Sequence, residues 1–368
     1  MARANHGTTG ATGAVVTTKP AAPADNLDDL LEPVRAKHDL PALAAAVWRG
    51  NELAGQGAVG VRKLGDATRV TLGDPWHLGS DTKAMTATLI GLYVDRGKIH
   101  FEDTIATIFA GESIDPGYRN VTIEQLLQHR GGAPATVPSD IAARMWEDGS
   151  APDARIRAVR SVLSRAPAQA PGTFAYANMG YIIAGAALER IVGRTWEQIV
   201  RDDLFAPLGM GACGFGAPGA AGAISAPWGH TARGTELTPR APGPKADNPP
   251  AYGPAGRVHC PLADWGTFLA LHLAGARGES TRLSKATMTR LHTPPPGGDY
   301  IAGWMVGTRP WAGGTTLSHT GSNTLWYVVT WLAPSKNLAF AVATNRGGED
   351  AFDGIDSALD PLIQKYAP

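Results

Sequence analysis

The sequence predicts an α+β fold in which one antiparallel sheet, built from both ends of the chain and flanked by helices, carries a mainly helical insertion. Paired apolar runs near residue 50 and again near residue 335 each flank a turn sequence, which marks a β-hairpin at either end. Between them, capping sequences and apolar stretches that stop at glycine mark helices. The 368 residues, 43% hydrophobic and 18% charged, suffice for one large core.

Met1 to Asn26 is rich in Ala, Thr, Gly and Pro, with few large apolar side chains, so a flexible tail is expected there. Residues 27–368 read as a single domain. Its sheet-bearing part takes 27–80 and about 255–368, and its mainly helical part about 81–254. Leu43 to Trp48 turns at Gly50-Asn51 into Glu52 to Val61, the first hairpin. Ser80 to Arg96 is apolar on nearly every side after its first turn and stops at Gly97, as a buried helix does. Thr122-Ile123-Glu124-Gln125 and Thr195-Trp196-Glu197-Gln198 both fit a capping box, and Met179 to Val192 is a helix stopping at Gly193. Gly216 to Pro254 is dense in Gly, Ala and Pro and is expected to wrap the surface. Pro261 sits where a first helical residue would, opening a helix towards Gly275. Leu325 to Leu332 and Leu338 to Thr344 flank Pro334-Ser335-Lys336-Asn337 as the second hairpin, and Asp353 to Tyr366 closes the chain as an amphipathic helix. Sheet and insertion would meet at a cleft, where sites tend to form.

Lys+Arg and Asp+Glu balance at 33 each, so no bulk field gathers phosphates or anionic lipid, and nucleic acid is not expected as a partner. No stretch approaches the roughly 20 apolar residues that a membrane helix requires. The tail lacks the apolar stretch of a secretory signal, which favours the cytoplasm. Cys213 and Cys260 exclude a disulfide scaffold and a four-cysteine zinc site; they read as two unrelated small residues, with pairing left open. The ten histidines are scattered singly, so neither metal nor cofactor is expected.

Chemistry concentrates in three places. Ser80-Asp81-Thr82-Lys83 is the one Ser-x-x-Lys of the chain. Positions i and i+3 share a helix face, so the amine can lie beside the hydroxyl and activate it. Tyr-x-Asn occurs twice. Tyr118-Arg119-Asn120 precedes a capping box, and Arg119 suggests solvent; Tyr176-Ala177-Asn178 abuts the helix from Met179, where Asn178 can cap it with its amide facing the cleft. The second copy is the better candidate. His319-Thr320-Gly321 lies on a strand before the second hairpin, where Gly321 admits a ligand to the strand edge. The N–H of Ser322 can complete a two-donor oxyanion hole with that of Ser80.

In this order the three motifs resemble those of the serine β-lactamase and penicillin-binding protein superfamily. They are most similar to the branch with class C β-lactamases, D-Ala-D-Ala carboxypeptidases, D-aminopeptidases and family VIII carboxylesterases. The resemblance runs from about Leu40 to Asn345. It includes Leu126-Leu127-Gln128-His129-Arg130-Gly131-Gly132, Pro171-Gly172-Thr173 leading into Tyr176, and Leu204-Phe205-Ala206-Pro207-Leu208-Gly209-Met210. It implies a β-lactamase/transpeptidase-like fold with an all-α subdomain. It also implies an acyl-serine mechanism on a small-molecule ester, amide or lactam, with Ser80 as nucleophile, Lys83 and Tyr176 moving protons, and His319 beside them. Which of Lys83 and Tyr176 is the acylation base stays open.

The sequence departs from class C β-lactamases in carrying His319 where they have Lys. A permanent cation suits a β-lactam carboxylate, whereas His is only partly charged near neutral pH. An esterase or peptidase is therefore expected ahead of an efficient β-lactamase, and apolar walls supplied by Trp326 and Tyr327 would favour an esterase over a peptidase, with Asn178, Thr320, Gly321 and Trp326 contacting substrate. Gly209-Met210-Gly211-Ala212-Cys213-Gly214 spells Gly-x-Gly-x-x-Gly but lacks the strand before and helix after that a dinucleotide site needs.

Overall fold

The computed structural model describes residues 23–142, 144–146, 150–234 and 236–368. The N-terminal strands are β1 (Asp25–Asn26), β2 (Ala42–Arg49), β3 (Glu52–Gly60) and β4 (Pro75–His77). The middle of the chain gives β5 (Gly214–Phe215), β6 (Gly229–Arg233), β7 (Glu236–Arg240) and β8 (Val258–Pro261). The C-terminal part gives β9 (Tyr300–Ile301), β10 (Trp304–Arg309), β11 (Gly314–Ser322), β12 (Tyr327–Ala333) and β13 (Leu338–Thr344). The main sheet runs β1-β3-β2-β13-β12-β11-β10-β9 and is antiparallel but for the β1–β3 pair, so both ends of the chain build it. A small sheet, β4-β8-β5, lies beside it, and β6–β7 forms a separate hairpin.

Side-chain size explains the centre of the sheet. Along β2, Ala42, Ala44, Ala46 and Trp48 join the larger core, while Leu43, Ala45 and Val47 join the smaller core on the opposite face. In β13, Ala339, Ala341 and Ala343 face the first core and Leu338, Phe340 and Val342 the second. Both faces are buried, so the period-two alternation is one of size rather than polarity. Helices Asp28–Lys37 and Glu349–Tyr366 cover the face carrying the larger side chains. Helix Leu262–Ala276 covers the alanine face, with Gly266 against the Trp48 ring.

The buried helix Thr82–Asp95 runs between the sheet and the helical part, packing against Asn178–Val192 and Lys285–His292. Both capping boxes form, at Thr122 with Gln125 and at Thr195 with Gln198, and Gly193 ends its helix in the left-handed conformation.

Several expectations are corrected. Asp25 and Asn26, placed in the tail, pair with Gly55 and Gln56 on β3; residues 1–22 lie outside the described residues. Pro261 closes β8 and caps the next helix, which starts at Leu262. The segment Gly216–Pro254 is not all surface: Ala246, Asp247, Ala251 and Pro254 are buried. The C-terminal helix begins at Glu349. Cys213 and Cys260 are joined in a disulfide, because the β5–β8 pairing brings their Cα atoms to 4.2 Å.

Candidate active site

Strand β4 feeds a single 3₁₀ turn, Gly79–Asp81, which opens directly into helix Thr82–Asp95. Gly79 has φ +50°, and a Cβ there would collide with the Ser322 backbone; a Cβ on Gly321 would collide with the Leu78 carbonyl. The serine turn and the end of β11 therefore touch backbone to backbone, which only two glycines allow. This contact brings the backbone of Ser80 beside that of Ser322. The turn is pinned from outside as well: Gly79 N–H donates to His77 Nδ1 at 3.0 Å, and Val258 N–H donates to Thr82 Oγ1 at 3.1 Å.

One helical turn on, Lys83 is fully buried. Its Nζ lies 2.9 Å from Ser80 Oγ, 2.8 Å from Asn178 Oδ1 and 2.7 Å from the Ala255 carbonyl. It also sits over the rings of Tyr176 and Tyr181, at 4.9 and 5.6 Å from their centroids. None of these partners is an anion. Burial therefore lowers the lysine to about 7, against the opposing pull of Asp81. The preceding carbonyl, of Pro254, is held by a relay in which Trp196 Nε1 donates to Thr86 Oγ1 and Thr86 donates to Pro254 O, at 3.1 and 2.7 Å. Asn178 does not cap its helix as expected: Ala177 is the N-cap and Asn178 the first helical residue, its side chain turned to Lys83.

The Tyr176 ring is 39% exposed, and its hydroxyl interacts with the Ser80 side chain. Burial raises the phenol to about 12, so it stays protonated at neutral pH. Its position is set by His129, to which sequence reasoning gave no role. Ala175 N–H donates to the His129 carbonyl at 2.9 Å and Ala177 N–H to His129 Nδ1 at 3.1 Å, so both neighbours of Tyr176 are tied to one residue. The His129 ring packs on Tyr176 and Tyr300 at centroid distances of 4.2 and 4.5 Å. Burial first, and the Lys83 charge second, lower it to about 2, so it is a neutral ring. The other Tyr-x-Asn copy is elsewhere. Tyr118 is fully buried rather than near solvent, and its hydroxyl donates to Gly132 O at 3.2 Å.

His319 and Gly321 point from β11 towards the serine turn, and Thr320 between them is half-buried. His319 Nδ1 lies 2.9 Å from Asp81 Oδ1, which sequence reasoning had passed over as a spacer in Ser-x-x-Lys. Trp326, expected to contact substrate, does not line the cleft. It is fully buried, packs on His77 at 5.7 Å, and donates from Nε1 to Pro227 O at 3.2 Å. Tyr327 packs with the core on the opposite face of the sheet. Phe174 and Tyr176 are exposed aromatics beside the site. An open groove begins at Asn323, Thr324 and Leu325 and is bounded by Arg240 and Lys245.

Behind the turn lies a second set of residues without a sequence signal. His77 Nε2 meets Asp247 Oδ1 at 2.6 Å, Arg257 Nε donates to Asp247 Oδ2 at 2.7 Å, and Asn323 Nδ2 donates to Asp247 Oδ1 at 3.3 Å. The arrangement as a whole places a serine hydroxyl against a lysine amine, a phenol beside both, and the backbone of the serine turn against the end of β11. That set can transfer an acyl group.

Comparison with known proteins agrees. The sequence profile of the Beta-lactamase family matches residues 27–365. The chain belongs to the β-lactamase family. Within it, the chain is 28% identical to penicillin-binding protein 4 of Amycolatopsis lactamdurans over 332 residues, 87% of this chain and 84% of that protein. It is 29% identical to an unguisins hydrolase of Aspergillus campestris, over half of this chain and about a third of that protein. Solved structures share the β-lactamase fold. They include the octameric penicillin-binding protein homologue of Pyrococcus abyssi, with TM-score 0.73, 20% identity, and 92% and 78% of the two chains covered. The class C β-lactamase of Rhodobacter sphaeroides matches with TM-score 0.70, 20% identity, and 91% and 98% covered. The expected fold and superfamily hold, and the protein is a hydrolase of the serine β-lactamase family.

Proposed function

We propose that the protein is a carboxylesterase that cleaves small-molecule esters through an acyl-enzyme on Ser80. The observation that carries this reading is the environment of Lys83, whose Nζ contacts Ser80 Oγ and otherwise only neutral acceptors and rings. As a free amine it accepts the Ser80 proton while still donating to Asn178 and Ala255. Ser80 then attacks the carbonyl, and the N–H groups of Ser80 and Ser322 hold the oxyanion. Tyr176, protonated at neutral pH, gives its proton to the departing alkoxide and is resupplied by Lys83. Water enters and attacks the acyl carbon as Lys83 takes its proton, and Lys83 returns that proton to Ser80 Oγ as the acid departs. Lys83 is thus the acylation base and Tyr176 the acid. The exposed rings of Phe174 and Tyr176 favour an alkyl or acyl group at the mouth of the site.

The second reading, a D-amino peptidase or carboxypeptidase, is favoured by the relatives. The match to penicillin-binding protein 4 spans most of both chains, and a D-stereospecific amidohydrolase of Streptomyces shares the fold with TM-score 0.69 at 19% identity. A panel of p-nitrophenyl esters, D-amino acid amides and a chromogenic cephalosporin decides between them. Esters are expected to be the best substrates, and Ser80→Ala to lower their turnover by more than about a thousandfold with the fold intact. Activity of Ser80→Ala within tenfold of wild type rejects the nucleophile, and a better kcat/KM on D-amino acid amides rejects the esterase reading alone.

A further inference from the structure

His319 lies on β11 beside the serine turn, two residues before Gly321 meets the Leu78 carbonyl. It is not alone. Asp81 lies behind it, with Oδ1 2.9 Å from Nδ1, and both residues are more than nine-tenths buried. Neither carboxyl oxygen of Asp81, nor Nδ1 of His319, has a well-aligned hydrogen bond among the described residues. The carboxylate's neighbours are therefore electrostatic: His319 in front and Lys83 beside it. Arg257, a further cation behind this turn, is engaged by Asp247.

We propose that Asp81 and His319 form a pair of zero net charge that rejects a carboxylate next to the scissile bond, so that the preferred substrates are uncharged esters. The charge count is the argument. Catalysis needs Lys83 as a free amine. An imidazolium at position 319 is offset by the Asp81 carboxylate 2.9 Å from Nδ1, so this corner offers a substrate no net cation. A substrate carboxylate placed against His319 would lose its water to gain an imidazolium already matched by an anion 2.9 Å away. It would also stand near the Asp81 charge, in a buried region where screening is weak. A neutral acyl or alkoxy group has no such cost. This rests on the acyl-serine reading and narrows it: substrates ending in a free carboxylate near the cleaved bond, such as a peptide C-terminus or a β-lactam acid, fit this corner poorly.

The test uses matched pairs: mono-p-nitrophenyl half-esters of succinate, glutarate and adipate, each against its methyl diester, at about pH 7.5. The p-nitrophenol burst reports acylation of Ser80 even where turnover is slow. Wild type is expected to acylate from the methyl diesters at least about tenfold faster than from the half-esters. His319→Lys alone keeps Asp81 behind the new cation and should change that ratio by less than about threefold. Asp81→Asn combined with His319→Lys should move it by about tenfold or more towards the half-esters. Preference of wild type for a half-ester at any chain length overturns the proposal without recourse to a variant. So does a tenfold swing produced by His319→Lys alone. A protein with no burst on any ester, in wild type, would overturn the acyl-serine reading itself and this inference with it, whereas a burst with equal rates overturns only the inference.

Discussion

His77 and Asp247, 170 residues apart in sequence, meet at 2.6 Å with both side chains buried. Because His77 Nδ1 accepts the Gly79 N–H, its Nε2 carries the proton and donates to Asp247. Asp247 in turn accepts from Asn323, so one carboxylate links the residue before Ser80 to the residue after Ser322. Both arms of the proposed oxyanion hole hang from it.

Removing that carboxylate should loosen both arms. Asp247→Ala leaves the buried His77 Nε2–H and the half-buried Arg257 without their partner and is expected to cost about 2–4 kcal/mol of stability. Turnover of an ester should fall at least about tenfold with KM changed much less, since the donors act on the oxyanion rather than on the bound ester. Asp247→Asn, which keeps one acceptor, should recover part of both. Denaturant unfolding and steady-state kinetics on the two variants check this. Equal kcat in Asp247→Ala and wild type would show that the network is structural only.

The pH profile follows from Lys83. With the amine lowered to about 7 and Tyr176 raised to about 12, kcat/KM should rise through an apparent pKa near 7 and then stay level to at least pH 10. Stability carries the same signature with a definite sign. Between about 7 and its unfolded value of 10.5, Lys83 binds fewer protons folded than unfolded, so its presence destabilises most below pH 7 and least near 10.5. Lys83→Met should therefore abolish activity yet unfold at a higher temperature than wild type at pH 6.5, and this gap should close as pH rises. A gap that is constant with pH would mean the lysine keeps its ordinary pKa.

The duplicated Tyr-x-Asn offers an internal control. Tyr176→Phe should lower kcat by about a hundredfold, the usual cost of losing a general acid. Tyr118→Phe removes only the hydrogen bond to Gly132 O, so stability should fall by about 1 kcal/mol and kcat should stay within about twofold. Comparable losses in kcat would mean that the Gly132 loop, not the Tyr176 hydroxyl, governs the reaction.

The Cys213–Cys260 bond closes a 47-residue separation and anchors β8, the strand that pairs with β4 just ahead of Ser80. Replacing both cysteines with alanine should cost about 2–4 kcal/mol. Thermal midpoints of oxidised wild type and the double variant, with thiol titration of the denatured protein, measure it. Two titratable thiols in freshly purified protein would show that the bond does not form.

Local chemistry in this chain was legible in the sequence, and long-range pairing was not. The two hairpins, both capping boxes and the buried helix after Ser80 follow from turn residues, reciprocal Thr–Gln bonds and unbroken apolar runs, all written within a few positions. Ser80, Lys83 and Tyr176 lie together, and His319 joins them through Asp81. Asp81 was passed over because a spacer residue has no signal until β11 packs against it. Asn178 has the type and position of a cap, but its oxygen accepts from the buried Lys83 amine instead. Nearness to Ser322 in sequence suggests the cleft for Trp326, whereas the chain after β11 tucks it inward on His77. The Cys213–Cys260 pair depends on strand register between β5 and β8, which two short strands do not advertise.

The central pairing of β2 with β13 has a consequence for how the protein is made. Thr344 donates to the Ala42 carbonyl 302 residues earlier, so the middle of the sheet cannot close until nearly the whole chain exists. At ordinary elongation rates, the β2–β3 hairpin leaves the ribosome roughly 15–60 s before its partner strand. During that wait it carries apolar side chains on both faces and an open strand edge, a setting in which other chains compete for pairing. Folding should thus be slow and sensitive to concentration, as expected when most contacts join distant positions. Catalytic competence should appear only as a late, all-or-none event of synthesis, and chains truncated before Leu338 should accumulate as chaperone clients rather than as weak enzymes.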